Sequence, residues 1–135
     1  LKKADELGIT ENIIFVGNMG QEWIARIVPH ATVALSPHTG RALTEVALSE
    51  VPIVAYNIDW QPELIKTGET GELVEHQDWS AMANAVEKIL DDSVYAKQIG
   101  ANVRKVAIEM MDPKKLNKHE RNEYDKLFAR FNRKN

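Results

Sequence analysis

The residues best placed to do chemistry lie in one stretch, Ser36-Pro37-His38-Thr39-Gly40-Arg41-Ala42-Leu43-Thr44-Glu45. Ahead of it, Thr32-Val33-Ala34-Leu35 reads as the end of a buried strand. Behind it, Val46-Ala47-Leu48 continues a helix that opens near Arg41, and Val51-Pro52-Ile53-Val54-Ala55 supplies another buried strand. A strand, a polar loop with a glycine and a helix N-terminus bring unpaired backbone amides to the carboxyl ends of parallel strands, where open α/β sheets hold their ligands. Amides in that position seat an anion. Arg41 and Glu45 stand four apart and share a helix face, so the site offers a cation and a carboxylate together. That combination suits a ligand carrying both phosphate and hydroxyl groups.

The elements that must position this stretch follow from periodicity and turn residues. Residues 1–7 read as a short helix stopped by Gly8. Ile13-Ile14-Phe15-Val16, an unbroken apolar run closed by Gly17, predicts a strand covered on both faces. Trp23, Ile24 and Ile27 recur at helical spacing before Pro29. Strands at 32–35 and 52–55 bracket the helix at 41–48, and a short helix over 60–65 leads to the turn cluster Lys66-Thr67-Gly68-Glu69-Thr70-Gly71. Glu72-Leu73-Val74-Glu75 reads as a last strand. Asp78 is placed to cap a helix over 80–90 with Met82, Val86, Ile89 and Leu90 turned inward. Strands alternating with helices predict an α/β fold: a Rossmann-like parallel sheet with flanking helices, followed by C-terminal helices. Trp23 and Trp79 read as packing residues, Trp60 lies near the expected cleft, and Glu63 suits a helix start.

Composition narrows the classes of function. With 135 residues, 44% hydrophobic and 27% charged, the chain can bury a real core. A net charge of −3 argues against nucleic acid as a partner, because a surface that tracks phosphates needs a basic excess. The absence of cysteine excludes disulfides and thiolate chemistry and is compatible with a reducing compartment. No apolar run is long enough to span a bilayer and no signal-peptide pattern opens the sequence, so a cytoplasmic location is expected. His30, His76 and His119 are too far apart for metal-ligand spacing, and no metal is expected.

Beyond Asp91-Asp92 the pattern is helical, with Val94, Ile99, Val103, Val106 and Met110 forming one stripe. A last helix over 113–131 carries Leu116, Tyr124, Leu127, Phe128 and Phe131. Its other face holds Lys114, Lys115, Lys118, Arg121, Lys126, Arg130 and Arg133. That face reads either as a solvated surface interleaved with Glu120, Glu123 and Asp125, or as a peripheral contact with anionic membrane. The opening Leu1-Lys2-Lys3, without an initiator methionine, reads as part of a longer chain.

These pieces carry a resemblance. Ile13-Ile14-Phe15-Val16-Gly17, Ala31-Thr32-Val33-Ala34-Leu35-Ser36-Pro37, Thr44-Glu45-Val46-Ala47-Leu48, Val51-Pro52-Ile53-Val54-Ala55, Pro62-Glu63-Leu64-Ile65 and Thr67-Gly68-Glu69-Thr70-Gly71-Glu72-Leu73-Val74 occur in that order. Together they resemble the C-terminal, donor-binding domain of GT-B glycosyltransferases. The resemblance is greatest to group 1, the mostly retaining enzymes related to glycogen synthases and bacterial mannosyl- and glucosyltransferases. It spans about residues 7–92 and implies a partial nucleotide-sugar-binding Rossmann-like domain over 1–92 with a helical extension over 93–135.

What the resemblance implies is sugar transfer from a nucleotide-diphosphate sugar to an acceptor hydroxyl, with no cofactor and no obligatory metal. This chain would supply the donor-binding portion, an N-terminal acceptor domain would complete the enzyme, and the fragment alone would be inactive. By the same resemblance Glu45 holds the ribose hydroxyls, the backbone at Gly40 and Arg41 meets the diphosphate beside His38 and Thr39, and Gly17 with Asn18 borders the nucleobase. The family usually carries two glutamates with seven residues between them, and here the first position is Pro37. The catalytic residue is therefore unassigned, and His38 is the neighbour able to take over a sugar or phosphate contact. Two alternatives share the architecture: a nucleotide-sugar epimerase, and a receiver-like signalling module. The module would want an aspartate where the strand here ends Leu35-Ser36-Pro37.

Overall fold

A central strand with nothing but apolar residues at its heart organises the molecule, whose computed structural model describes residues 2–132. Strand β2 (Ile53–Tyr56) lies between β1 (Ala34–Ser36) and β3 (Glu72–Val74) in a parallel sheet of order β1-β2-β3. Leu35 is in register with Val54, and Ala55 with Leu73. Ile53, Val54 and Ala55 are each fully buried, which is why this strand is a continuous apolar run rather than an alternating one. Successive side chains point to opposite faces. Ile53 and Ala55 join Leu43 and Ala47 of α3 (Arg41–Leu48), Leu64 of α4 (Gln61–Leu64), and Val103 and Ala107 of α6 (Ser93–Met110). Val54 joins Met82, Ala85 and Ile89 of α5 (Trp79–Asp91) on the other face, with Ile99 of α6. One helix, α6, thus contributes to both apolar layers.

The cap predicted at Asp78 is present, and Asp92 supplies another that the sequence reading did not single out. Asp78 accepts a 2.8 Å hydrogen bond from the Ala81 amide at the start of α5, and Asp92 accepts from the amides of Val94 and Tyr95 at the start of α6. Helix α6 also crosses the turn between α3 and β2 at very short range. A Cβ added at Gly100 would stand 2.2 Å from the Glu50 carbonyl oxygen, so glycine is required there by the approach of backbone. At the amino end of β3, Glu72 is 5% exposed and carries its charge inward. Lys88 of α5 donates to Glu72 Oε1 at 2.6 Å, and the Tyr95 hydroxyl of α6 donates to the same oxygen. The Lys88 ammonium also sits 4.5 Å above the Tyr95 ring centroid. One buried carboxylate therefore ties two helices to the sheet.

Several expectations change. Residues 13–16 form no strand: they pair with none of the three, and Ile14 and Phe15 are 86% and 69% exposed. An apolar run becomes a two-faced strand only when it finds a sheet edge and layers to cover it, and among the described residues this one finds neither. Leu90, Val94 and Trp79 also face outward rather than packing. Helices α1 (Lys2–Glu6) and α2 (Gln21–Ile27) flank the 13–16 run in sequence, and α7 (Pro113–Asn132) ends the described chain with no buried residue. The expectations placed on Leu1 and Arg133 lie outside the described residues.

Gly100→Ala inverts the usual helix preference and so tests the α6 crossing. In an open helix that change stabilises by about 1 kcal/mol; here the clash should destabilise by about 1–3 kcal/mol or more, read from urea unfolding. The Glu72 cluster makes a second prediction. The Lys88 pKa is raised above its ordinary value, first by its hydrogen bond to Glu72, and the Tyr95 pKa is raised by burial and then by its bond to the same carboxylate. Both groups hold their protons more tightly folded than unfolded, so their contribution is complete below the ordinary values of 10.0 and 10.5 and is lost as pH rises through the folded ones. Unfolding free energy should fall above about pH 10, and Tyr95→Phe should lower stability at neutral pH while making that alkaline fall shallower.

Candidate functional site

Strand β1 ends at Ser36, residues 37–40 turn across the sheet's carboxyl edge, and α3 begins at Arg41. No side chain caps this helix: Gly40 precedes it in extended conformation (φ 171°, ψ 177°) with no side-chain hydrogen bond to the first turn. The amides of Arg41 and Ala42 are thus left for a ligand or solvent, while that of Leu43 donates to the Gly40 carbonyl at 3.3 Å. Nothing lies within 4 Å of where a Gly40 Cβ would stand, so the space beside the helix start is open. Here the backbone conformation does not itself demand glycine.

The loop borders a concavity of about 170 Å³, lined by His38, Thr39 and Gly40 together with Ser36, Leu43 and Val46. That volume suits a phosphate-sized group and is smaller than sites that enclose whole ligands. Glu45 lies on the next face of α3, half-buried, and lines a second concavity of about 270 Å³ with Gln21, Ile24 and Ala25 of α2. Arg41 and Glu45 form no ion pair with each other or with any described residue. The carboxylate is therefore neither sealed in the core nor spent on a neighbouring cation. Gly17 takes the left-handed conformation (φ 69°) that its turn needs, and Gly17 and Asn18 are both exposed. They line neither concavity and stay on the segment leading to α2. His38, Thr39 and Gly40 share the first concavity, and Glu45 borders the second with Leu48 and Ser49. Arg41, exposed at the start of α3, lines neither, so the cation and carboxylate that share a helix face in the sequence do not meet at one opening.

Two residues of this neighbourhood carried no sequence signal strong enough to single them out. Gln61 is fully buried beneath the loop: its Oε1 accepts from Ser36 Oγ at 2.5 Å, and its Nε2 donates to the Tyr56 carbonyl at 3.1 Å. Asp59 accepts from Thr39 Oγ1 at 2.9 Å. A glutamine at the start of a four-residue helix looks like a solvated helix end, and only its burial reveals otherwise. Trp60 packs against the core cluster of β2 and α6 rather than standing free in the cleft. Among the described residues no group of three or more acidic or histidine side chains is arranged to hold a metal.

Comparison with known proteins bears on family and fold. Residues 1–106 match the family model described as glycosyl transferases group 1. A lipopolysaccharide core biosynthesis mannosyltransferase, LpcC, of Rhizobium leguminosarum bv. viciae is 33% identical over 106 residues, covering 74% of this chain and 30% of the relative. A capsular polysaccharide biosynthesis glycosyltransferase, CapM, of Staphylococcus aureus is 35% identical over 66 residues, 49% of this chain and 17% of the relative. Among solved structures, sucrose-phosphate synthase of Thermosynechococcus elongatus superimposes with a TM-score of 0.83 at 26% identity, over 95% of this chain and 33% of the other. The chain thus spans less than a third of these curated relatives. The relatives are glycosyltransferases, which goes against the epimerase and signalling alternatives. With a parallel sheet, flanking helices and the open start of α3 all in place, the chain belongs to the group 1 glycosyltransferases and has the Rossmann-like fold of the GT-B C-terminal domain.

Proposed function

We propose that this chain is the donor-binding portion of an enzyme that moves a sugar from a nucleotide-diphosphate sugar to an acceptor hydroxyl. The observation that carries the reading is the uncapped start of α3 at the tip of β1, with Glu45 one turn further on and paired with no cation among the described residues. In this reading the diphosphate lies against the amides of Arg41 and Ala42 beside His38 and Thr39, and the Glu45 carboxylate accepts from two ribose hydroxyls. Gly17 and Asn18 border the base. The structures of HepE from Anabaena, 20% identical to this chain, are complexes with UDP and with UDP-glucose, which makes a uridine nucleotide the first probe to try.

The chemistry follows from charge. As the sugar leaves, negative charge grows on the diphosphate oxygens, and fixed amides with the Arg41 guanidinium stabilise it without reorganising. Pro37 brings no carboxylate to the donor, so no residue of this chain is assigned to bond breaking, and His38 is the neighbour able to contact sugar or phosphate. The acceptor side is assigned to an N-terminal domain of a longer chain, and the isolated chain is expected to bind donor without turning it over. No cofactor or metal enters this scheme.

We also place the protein in the cytoplasm, in peripheral contact with anionic membrane through α7. No described helix is long and apolar enough to cross a bilayer. What supports the contact is α7 itself, whose Lys114, Lys118 and Arg121 accompany exposed Leu127 and Phe128.

Titration of the ¹⁵N-labelled chain with UDP, GDP and ADP should shift the amides of 38–42 for one of the three. Glu45→Ala should weaken that nucleotide by about 1.5–3 kcal/mol, roughly ten- to a hundredfold; an unchanged affinity removes the ribose role. For α7, co-sedimentation with phosphatidylserine vesicles should exceed that with phosphatidylcholine and should drop in Lys114→Glu/Lys118→Glu. Equal binding to both lipids rejects the electrostatic contact.

A further inference from the structure

We propose that Gln61 is a positioning residue for the 37–40 loop, acting through the Ser36 hydroxyl, with Asp59 bracing the same loop through Thr39. The inference rests on reading that loop as the diphosphate seat. Its starting point is that burial of a primary amide is unfavourable unless both ends are paired. Gln61 is completely buried on the inner side of α4, where its neighbours Leu64 and Ile65 fill core space with hydrocarbon. An apolar side chain would fill that space without needing partners, yet this position carries an amide with both ends satisfied.

What the amide connects gives it a role. Its oxygen holds the last residue of β1 and its nitrogen holds the last residue of β2, so the side chain bridges two strand tips directly under the loop. Ser36 Oγ also lies 3.2 Å from the His38 carbonyl. A hydroxyl has one proton to give, and the 2.5 Å contact to Gln61 takes it. Gln61 thereby fixes the Ser36 rotamer at the point where the chain leaves the sheet.

The second attachment lies two residues away in sequence. Asp59 has a left-handed backbone (φ 48°), uncommon without glycine, and its carboxylate meets Thr39 at the far end of the loop. Residues 59 and 61 thus hold the loop on both sides of His38. An anion seat made of backbone amides works best when the amides already point at the ligand. The turn after β2 supplies that preorganisation without touching the ligand.

The test uses this 135-residue chain, with backbone ¹⁵N relaxation and UDP, GDP and ADP titrations run side by side. Gln61→Met keeps the volume and removes both hydrogen bonds. Order parameters of the 38–40 amides should drop from about 0.85 toward 0.6, and the bound nucleotide should weaken about three- to tenfold, while β2 and α6 amides stay rigid. Gln61→Glu gives a readout that mere packing would not. Its protonated form restores one donor and one acceptor, so affinity relative to the unsubstituted chain at the same pH should be near one in acid and fall as the carboxyl ionises. Should Gln61→Met not fold, exposed Asp59→Ala should loosen Thr39 and Gly40 in a folded chain. Unchanged loop order and affinity in Gln61→Met, or a flat relative pH profile for Gln61→Glu, would overturn the proposal; so would unchanged loop order in Asp59→Ala where that variant stands in. If the unsubstituted chain ignores all three nucleotides, the diphosphate reading fails instead, and loop order alone decides whether the brace exists.

Discussion

The need to cover β2 on both faces governs the rest of this molecule. A strand whose first three residues are wholly buried cannot exist with one layer of helices, so α3 and α6 close one side and α5 closes the other. That requirement fixes where α3 must begin. Because α3 has to reach its apolar place over Ile53 directly after β1, its first turn is delivered to the strand tips, and the open amides arrive there as a by-product of core packing.

The polar groups inside the molecule divide between the two ends of the sheet. At the amino end of β3, Glu72 Oε1 accepts from both Lys88 and Tyr95, which makes this carboxylate a fastening for α5 and α6. At the carboxyl end of β1 and β2, Gln61 is equally well satisfied but lies beneath a loop that lines an opening. The chemistry of hydrogen-bonded burial is the same at both ends. Position alone separates a structural fastening from a group that shapes a binding surface.

Much of this was legible in the sequence because local signals and global packing agree. The apolar run at 53–55, the helix opening at Arg41, and Asp78 as a cap each state their own structural reason, and the structure repeats them. Residues 13–16 show where reading fails: four consecutive apolar residues specify a strand only if the surroundings supply an edge, and the pattern itself cannot say whether they do. Trp79 and Leu90 were misread for a related reason, since helical spacing gives a face but not what lies opposite it. Gln61 was illegible because its role depends on contact with Ser36, twenty-five positions away. The Glu45 carboxylate and the loop are singled out by the resemblance and the helix start together.

The outer edge of β1 has a practical consequence. Among the described residues that strand pairs only with β2, its Leu35 is 53% exposed, and its far side presents backbone donors and acceptors with no strand against them. Such a rim is a template for any extended chain that meets it, and a second copy of the same polypeptide is the most abundant candidate in a concentrated solution. A single lysine or proline on the outward side of that rim would act as a gatekeeper against such pairing while leaving the strand tips untouched.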